Sequence, residues 1–222
     1  MAEHPKEVLE ITSSADSLML NLGNITDARM DAMLISAKKA NKKGIPIVLD
    51  AVGIACSSLR KEYINDLLNK ARMTVIKGNY SEICALYNNQ YSSVGVDADI
   101  SLSPEKVKEA AVNLALKYHA VILATGKTDI ITNGENTICV NNGCEELASV
   151  TGTGCMLGSL CSAFIVFLNP MEASVSACCY LGICGELSKT KKGSGSFMVN
   201  LLDKISTLSR EEIQKHLNME DK

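Results

Sequence analysis

Short apolar runs that each end in a polar or glycine residue, alternating with segments of helical period, restrict most sharply what this chain can fold into. Leu18-Met19-Leu20-Asn21 leads into a turn at Leu22-Gly23-Asn24, and Ile45 to Leu49 ends at Asp50. Met73 to Ile76 ends at Lys77-Gly78-Asn79, and Ala120 to Ala124 ends at Thr125-Gly126. Between them, helical spacing marks Asp27 to Lys43, Arg60 to Ala71, Tyr80 to Tyr87 and a segment opened by Ser103-Pro104-Glu105, where serine caps and proline fits the first turn. Continuously apolar strands are buried on both faces, so this order predicts an α/β fold: a mostly parallel central sheet covered by helices on both faces. The second half adds a strand pair, Asp129 to Thr132 and Thr137 to Val140, and helices at Cys155–Leu168, Met171–Lys189 and Phe197–Thr207.

No Gly/Ser run or charge block divides the 222 residues, and one domain spanning 1–222 is expected. With 22 basic and 25 acidic residues the net charge is -3, which argues against a nucleic-acid partner. The longest nearly uncharged run, Leu147 to Ala173, is interrupted by glycines, Asn169 and Pro170, which suits a buried helix rather than a membrane span. Residues 1–10 carry Glu3, Lys6, Glu7 and Glu10 and no apolar core, so no leader peptide is expected and a cytoplasmic location follows. Nine cysteines without a Cys-x-x-Cys pair, and only three histidines, make a zinc site improbable. Cys84, Cys161, Cys178, Cys179 and Cys184 lie in apolar surroundings and read as small core residues.

In parallel α/β sheets, ligands bind beyond the carboxyl ends of the strands. Asn21, Gly23, Asp50, Lys77 to Asn79 and Thr125-Gly126 all fall there, and so would the turn Val150-Thr151-Gly152-Thr153-Gly154-Cys155. That turn runs straight into an apolar helix. Gly152, Thr153 and Gly154 would offer backbone N–H groups to an anion such as phosphate, although an ordinary strand-to-helix turn has the same local pattern. Asp50 and Glu82 supply hard oxygens that suit Mg²⁺; a structural turn and a helix N-terminal charge are the alternatives. Lys77 either neutralises a phosphate or extends to solvent. Cys155 opens the helix, where it is either a packing residue or a base or positioning group for an attacking hydroxyl.

Seven segments, in order, resemble hydroxyethylthiazole kinases: Leu49-Asp50-Ala51-Val52-Gly53, Ile76-Lys77-Gly78-Asn79-Tyr80-Ser81-Glu82-Ile83, Gly95-Val96-Asp97, Ala124-Thr125-Gly126, Val150 to Cys155, Tyr180 to Leu187, and Gly195-Ser196-Phe197. Cysteine at position 155, where related ribokinase-like vitamin kinases carry aspartate, points to this family among them. The resemblance implies a ribokinase-like three-layer fold and ATP-dependent, magnesium-assisted phosphorylation of 4-methyl-5-(2-hydroxyethyl)thiazole in thiamine salvage. By the same resemblance Lys77 and Thr125 bind ATP, Asp50 and Glu82 support magnesium, Met1 and Gly152 meet the substrate, and Cys155 stands at the reacting hydroxyl. Homotrimers with thiazole sites between subunits are implied as well. The family has proline at Ala51 and arginine at Lys77, and a strand-helix-strand segment ahead of the region matching residues 1–5. An N-terminally shortened kinase is therefore expected, the alternative being a non-catalytic remnant that binds nucleotide or oligomerises.

Overall fold

The computed structural model describes residues 2–88 and 103–221. Among them, α1 (Val8–Ser13), β1 (Leu18–Asn21), α2 (Asp27–Lys43), β2 (Ile47–Asp50), α3 (Ser58–Lys70), β3 (Val75–Asn79), α4 (Tyr80–Tyr87), α5 (Pro104–Tyr118) and β4 (Val121–Thr125) build a strand–helix alternation. Next come β5 (Asp129–Thr132), β6 (Thr137–Val140), α6 (Glu145–Ser149), α7 (Thr153–Phe164), α8 (Pro170–Leu187), α9 (Ser194–Thr207), α10 (Arg210–His216) and β7 (Met219–Asp221). The expected bounds of α2, α4, β5 and β6 hold. Local chemistry sets them: the Thr26 side chain accepts from the Arg29 N–H at the start of α2, and Gly44, at φ +70°, ends it.

Strand order in the sheet follows chain order, β1 to β7. β1 to β4 run parallel, as expected, whereas β5, β6 and β7 continue antiparallel, so the sheet is mixed. β7 carries no apolar alternation that would mark it in the sequence, and all three of its residues are exposed. It is held by its ladder to β6 and by Asn142, whose Nδ2 donates to Glu186 Oε1 (3.1 Å) and to the His216 carbonyl (2.7 Å), while its Oδ1 accepts from the Asn218 N–H (2.9 Å).

Period-two alternation divides the core into two layers. Leu20, Ile47, Leu49, Ile76, Ile122 and Ala124 pack toward α2, α3, α4 and α5. Val48, Val75, Val121 and Leu123 pack toward α7, α8 and α9, where Cys161, Cys178, Cys179 and Cys184 serve as buried filler. The residues one step beyond these partners at the strand ends inherit a face by the same parity. Asp50 follows Val48 by two and Lys77 follows Val75 by two, so both sit under α7.

Candidate active site

Register turns that parity into a row. Asn21 lies opposite Asp50, and Asp50 opposite Lys77, on three adjacent parallel strands. Lys77 Nζ donates to Asp50 Oδ1 at 2.9 Å, and both residues are almost wholly enclosed, at 4 % and 1 % exposure. Burial pushes the Asp50 carboxyl up, and the adjacent ammonium partly offsets this. For Lys77 burial favours the neutral amine, but the carboxylates of Asp50 and Glu82 prevail and hold it charged beyond the usual lysine range. Asn21 Nδ2 closes the row, donating to Asp50 Oδ2 at 3.0 Å and to Cys155 Sγ at 3.2 Å.

Above the row lies the glycine turn. Gly152, at φ +105°, is the N-cap of α7, and no side chain caps this helix end. The space where a Cβ would stand on Gly152 is open, and the corresponding point on Gly154 is 3.6 Å from Lys77 Nζ. The first turn of α7 therefore lies beside a buried ammonium, an arrangement able to neutralise an anion such as phosphate without a bulky side chain. Thr153 Oγ1 is spent on the loop itself, donating to the Leu147 carbonyl (2.7 Å) and lying 3.1 Å from that of Val150. Cys155 is exposed at the rim of the same turn.

Glu82 is engaged differently from Asp50. Its Oε1 accepts the Gly53 N–H at 2.7 Å and its Oε2 the Asn79 N–H at 2.7 Å, while the Asn79 side chain returns the bond to the Glu82 N–H. This capping box opens α4 and pins the loop after β2. Burial raises the Glu82 pKa, and those two N–H groups and Lys77 oppose it. Thr125, half-buried at the end of β4, directs its hydroxyl to the Gly78 carbonyl at 3.4 Å. Among the described residues no group of three or more histidine, cysteine, aspartate or glutamate side chains converges as a metal cage. Met1 and the Gly95-Val96-Asp97 segment lie outside the described residues.

Asn21 and Asp129 are the site-edge residues whose chemistry the sequence left unread. Aligning the strand ends would have placed Asn21 beside Asp50. The Asp129 carboxyl, at the start of β5, is pushed from 3.8 to about 6 by burial, against the opposing pull of the Gly126 N–H, the Cys178 thiol and the Lys77 charge. A group whose pKa rises on folding stabilises the native state fully below its unfolded value, and that contribution is lost as pH climbs through the native value. Asp129→Asn keeps the acceptor for Gly126 and removes the buried charge. Its stability relative to wild type, measured by urea denaturation, is therefore expected to rise between pH 4 and pH 7.5; a pH-independent difference would contradict the burial of this carboxyl.

The profile of the Hydroxyethylthiazole kinase family matches residues 1–211. Hydroxyethylthiazole kinase 2 of Clostridium botulinum is 44 % identical across 99 % of this chain and 84 % of its own length. Hydroxyethylthiazole kinase of Methanosarcina mazei is 41 % identical across 100 % of this chain and 85 % of its own. Among solved structures, a hydroxyethylthiazole kinase protein from Pyrococcus horikoshii OT3 aligns with a TM-score of 0.91 at 30 % identity, covering 100 % of this chain and 83 % of that one. A pyridoxal kinase from Staphylococcus aureus, at 17 % identity and a TM-score of 0.67 over 98 % of this chain and 76 % of its own, shares the ribokinase-like fold alone. Sequence order, sheet architecture and these likenesses agree, and the chain belongs to the hydroxyethylthiazole kinase family.

Proposed function

We propose that this protein transfers the γ-phosphoryl group of ATP to the primary hydroxyl of 4-methyl-5-(2-hydroxyethyl)thiazole, in thiamine salvage. The observation that carries the reading is the open Gly152–Gly154 turn with the Lys77 ammonium beneath it and Cys155 beside it, in a chain of this family. Phosphoryl transfer asks a protein chiefly for placement and for charge where negative charge develops. The α7 N–H groups and Lys77 supply that charge, Thr125 lies along the nucleotide path, Gly152 lies against the thiazole, and Cys155 contacts the attacking hydroxyl. Lysine at 77 is a point charge that cannot grip a phosphate with two prongs as arginine does.

Magnesium fits as an ion carried by the nucleotide. Mg²⁺ keeps several waters and needs only one or two carboxylates besides phosphate oxygens. Asp50 and Glu82, each already holding hydrogen-bond donors, would act on it through their remaining lone pairs. When bound, the ion neutralises phosphate charge. Trimeric assembly, with Met1 contributing to thiazole sites between subunits, and a cytoplasmic location belong to the same proposal. No described helix is long and apolar enough to cross a membrane.

The test is direct. Purified protein incubated with ATP, Mg²⁺ and the thiazole alcohol is expected to yield the phosphate monoester and ADP in equal amounts, with ATP binding visible by calorimetry. A folded protein that binds ATP and forms no monoester would overturn the assignment.

A further inference from the structure

Asn21 is placed by three independent constraints. The parallel register sets it opposite Asp50 on the α7 face of the sheet. Its Oδ1 accepts the Gly23 N–H at 2.7 Å, so the carboxamide can turn neither of its ends around: Gly23 requires an oxygen and the Asp50 carboxylate requires an N–H. Gly23 is itself held, because Arg60 Nη2 donates to its carbonyl at 3.0 Å, and a Cβ at position 23 would stand 2.8 Å from Asn21 Oδ1. A glycine is thus needed for the turn to close over the amide. The remaining hydrogen-bonding capacity of Asn21, its two N–H bonds, goes to Asp50 Oδ2 and to Cys155 Sγ.

We propose that Asn21 is the positioning residue of the acceptor side, resting on the kinase reaction set out above: its carboxamide locks the Cys155 sulfur to the Asp50–Lys77 pair. During transfer, the bond between the acceptor oxygen and the γ-phosphorus forms, the bond from that phosphorus to the bridging oxygen breaks with its electron pair left on ADP, and the hydroxyl proton is released to water. Asn21 exchanges no proton and forms no covalent bond. It fixes which face of the Cys155 sulfur is left for the hydroxyl. By filling one acceptor direction on sulfur and one on Asp50, it couples the cysteine on α7 to charges on β2 and β3. No other described hydrogen bond ties the Cys155 side chain to the sheet.

The experiment is a double-mutant cycle on kcat, with Asn21→Ala, Cys155→Ala and the pair, each checked for folding by thermal melting and for ATP affinity by calorimetry. Asn21→Ala is expected to lower kcat by about 10–100-fold, the scale of a hydrogen bond to a charged or reacting group. The KM for ATP should stay within about twofold, because the phosphate-binding groups are untouched. In the Cys155→Ala background the same substitution should change kcat by less than about threefold, because an amide that acts through the sulfur has nothing left to position. Asn21→Asp provides the second variant: it keeps the size and the acceptor for Gly23 but loses the donors, and it is expected to lose activity as Asn21→Ala does. Additive losses in the cycle, or full activity in Asn21→Asp, would overturn the proposal while leaving the kinase reading intact. An inactive but folded wild type would overturn both.

Discussion

Cys155→Ala is expected to lower single-turnover phosphorylation of the thiazole alcohol by about 10²–10⁴-fold, the scale of general acid–base or hydroxyl-positioning help. ATP affinity is expected to stay close to wild type. The separation follows from the geometry: the groups proposed to meet phosphate are the open backbone of Gly152–Gly154 and the ammonium of Lys77, and neither depends on the cysteine side chain. Cys155 lies exposed at the rim of the turn, so its truncation leaves no cavity in either core layer. Rapid-quench measurement at saturating ATP, paired with calorimetric titration, reads both quantities. Turnover equal to wild type would make Cys155 a bystander to the reaction.

Lys77→Met is expected to destabilise the fold by about 3–5 kcal/mol, the usual cost of leaving one member of a buried ion pair uncompensated. Asp50 would remain enclosed among β1, β2, β3 and α7 with Asn21 Nδ2 as its remaining side-chain donor. Urea denaturation monitored by circular dichroism measures the loss. The pair Lys77→Met with Asp50→Leu should recover most of it, because replacing both partners removes the orphaned charge along with its partner. A loss below about 1 kcal/mol in the single variant would mean that water reaches Asp50 and that the pair behaves as a surface bridge. The recovered double variant is also informative about function. It should fold and yet bind ATP poorly, separating the structural role of the Lys77–Asp50 pair from the nucleotide-binding role proposed for it.

The sheet and its flanking helices were legible because apolar continuity and helical period carry most of the burial signal. α2, α4 and the β5–β6 pair have the bounds that periodicity and turn residues imply. The elements that went unread are short or polar: α1 spans six residues, α6 five, and β7 three. Their stability comes from docking, which leaves little trace in a local pattern. α10 is a different matter, since Ser209 and Glu212 form a capping box visible as serine followed three residues later by glutamate. The same signature at Asn79 and Glu82 was present in the sequence, and it explains why the Glu82 oxygens hold the Gly53 and Asn79 amides. Asp50 and Lys77 were each identifiable as strand-end residues, but their ion pair depends on register, a relation between strands. Asn21 required the same relation once more, plus the docking of α7 from far along the chain.

Because each strand of the sheet lies beside its sequence neighbours, a nascent chain can add strands in the order in which they leave the ribosome, each onto an edge already formed. Added in that order, Asn21, Asp50 and Lys77 would come into line from the first half of the chain alone, since β1, β2 and β3 pair directly with one another. Cys155 reaches Asn21 across a separation of 134 residues. The contact of α7 with β1, made by Asn21 with Cys155 and by Met19 with Ser159, thus joins the two ends of the synthesis order.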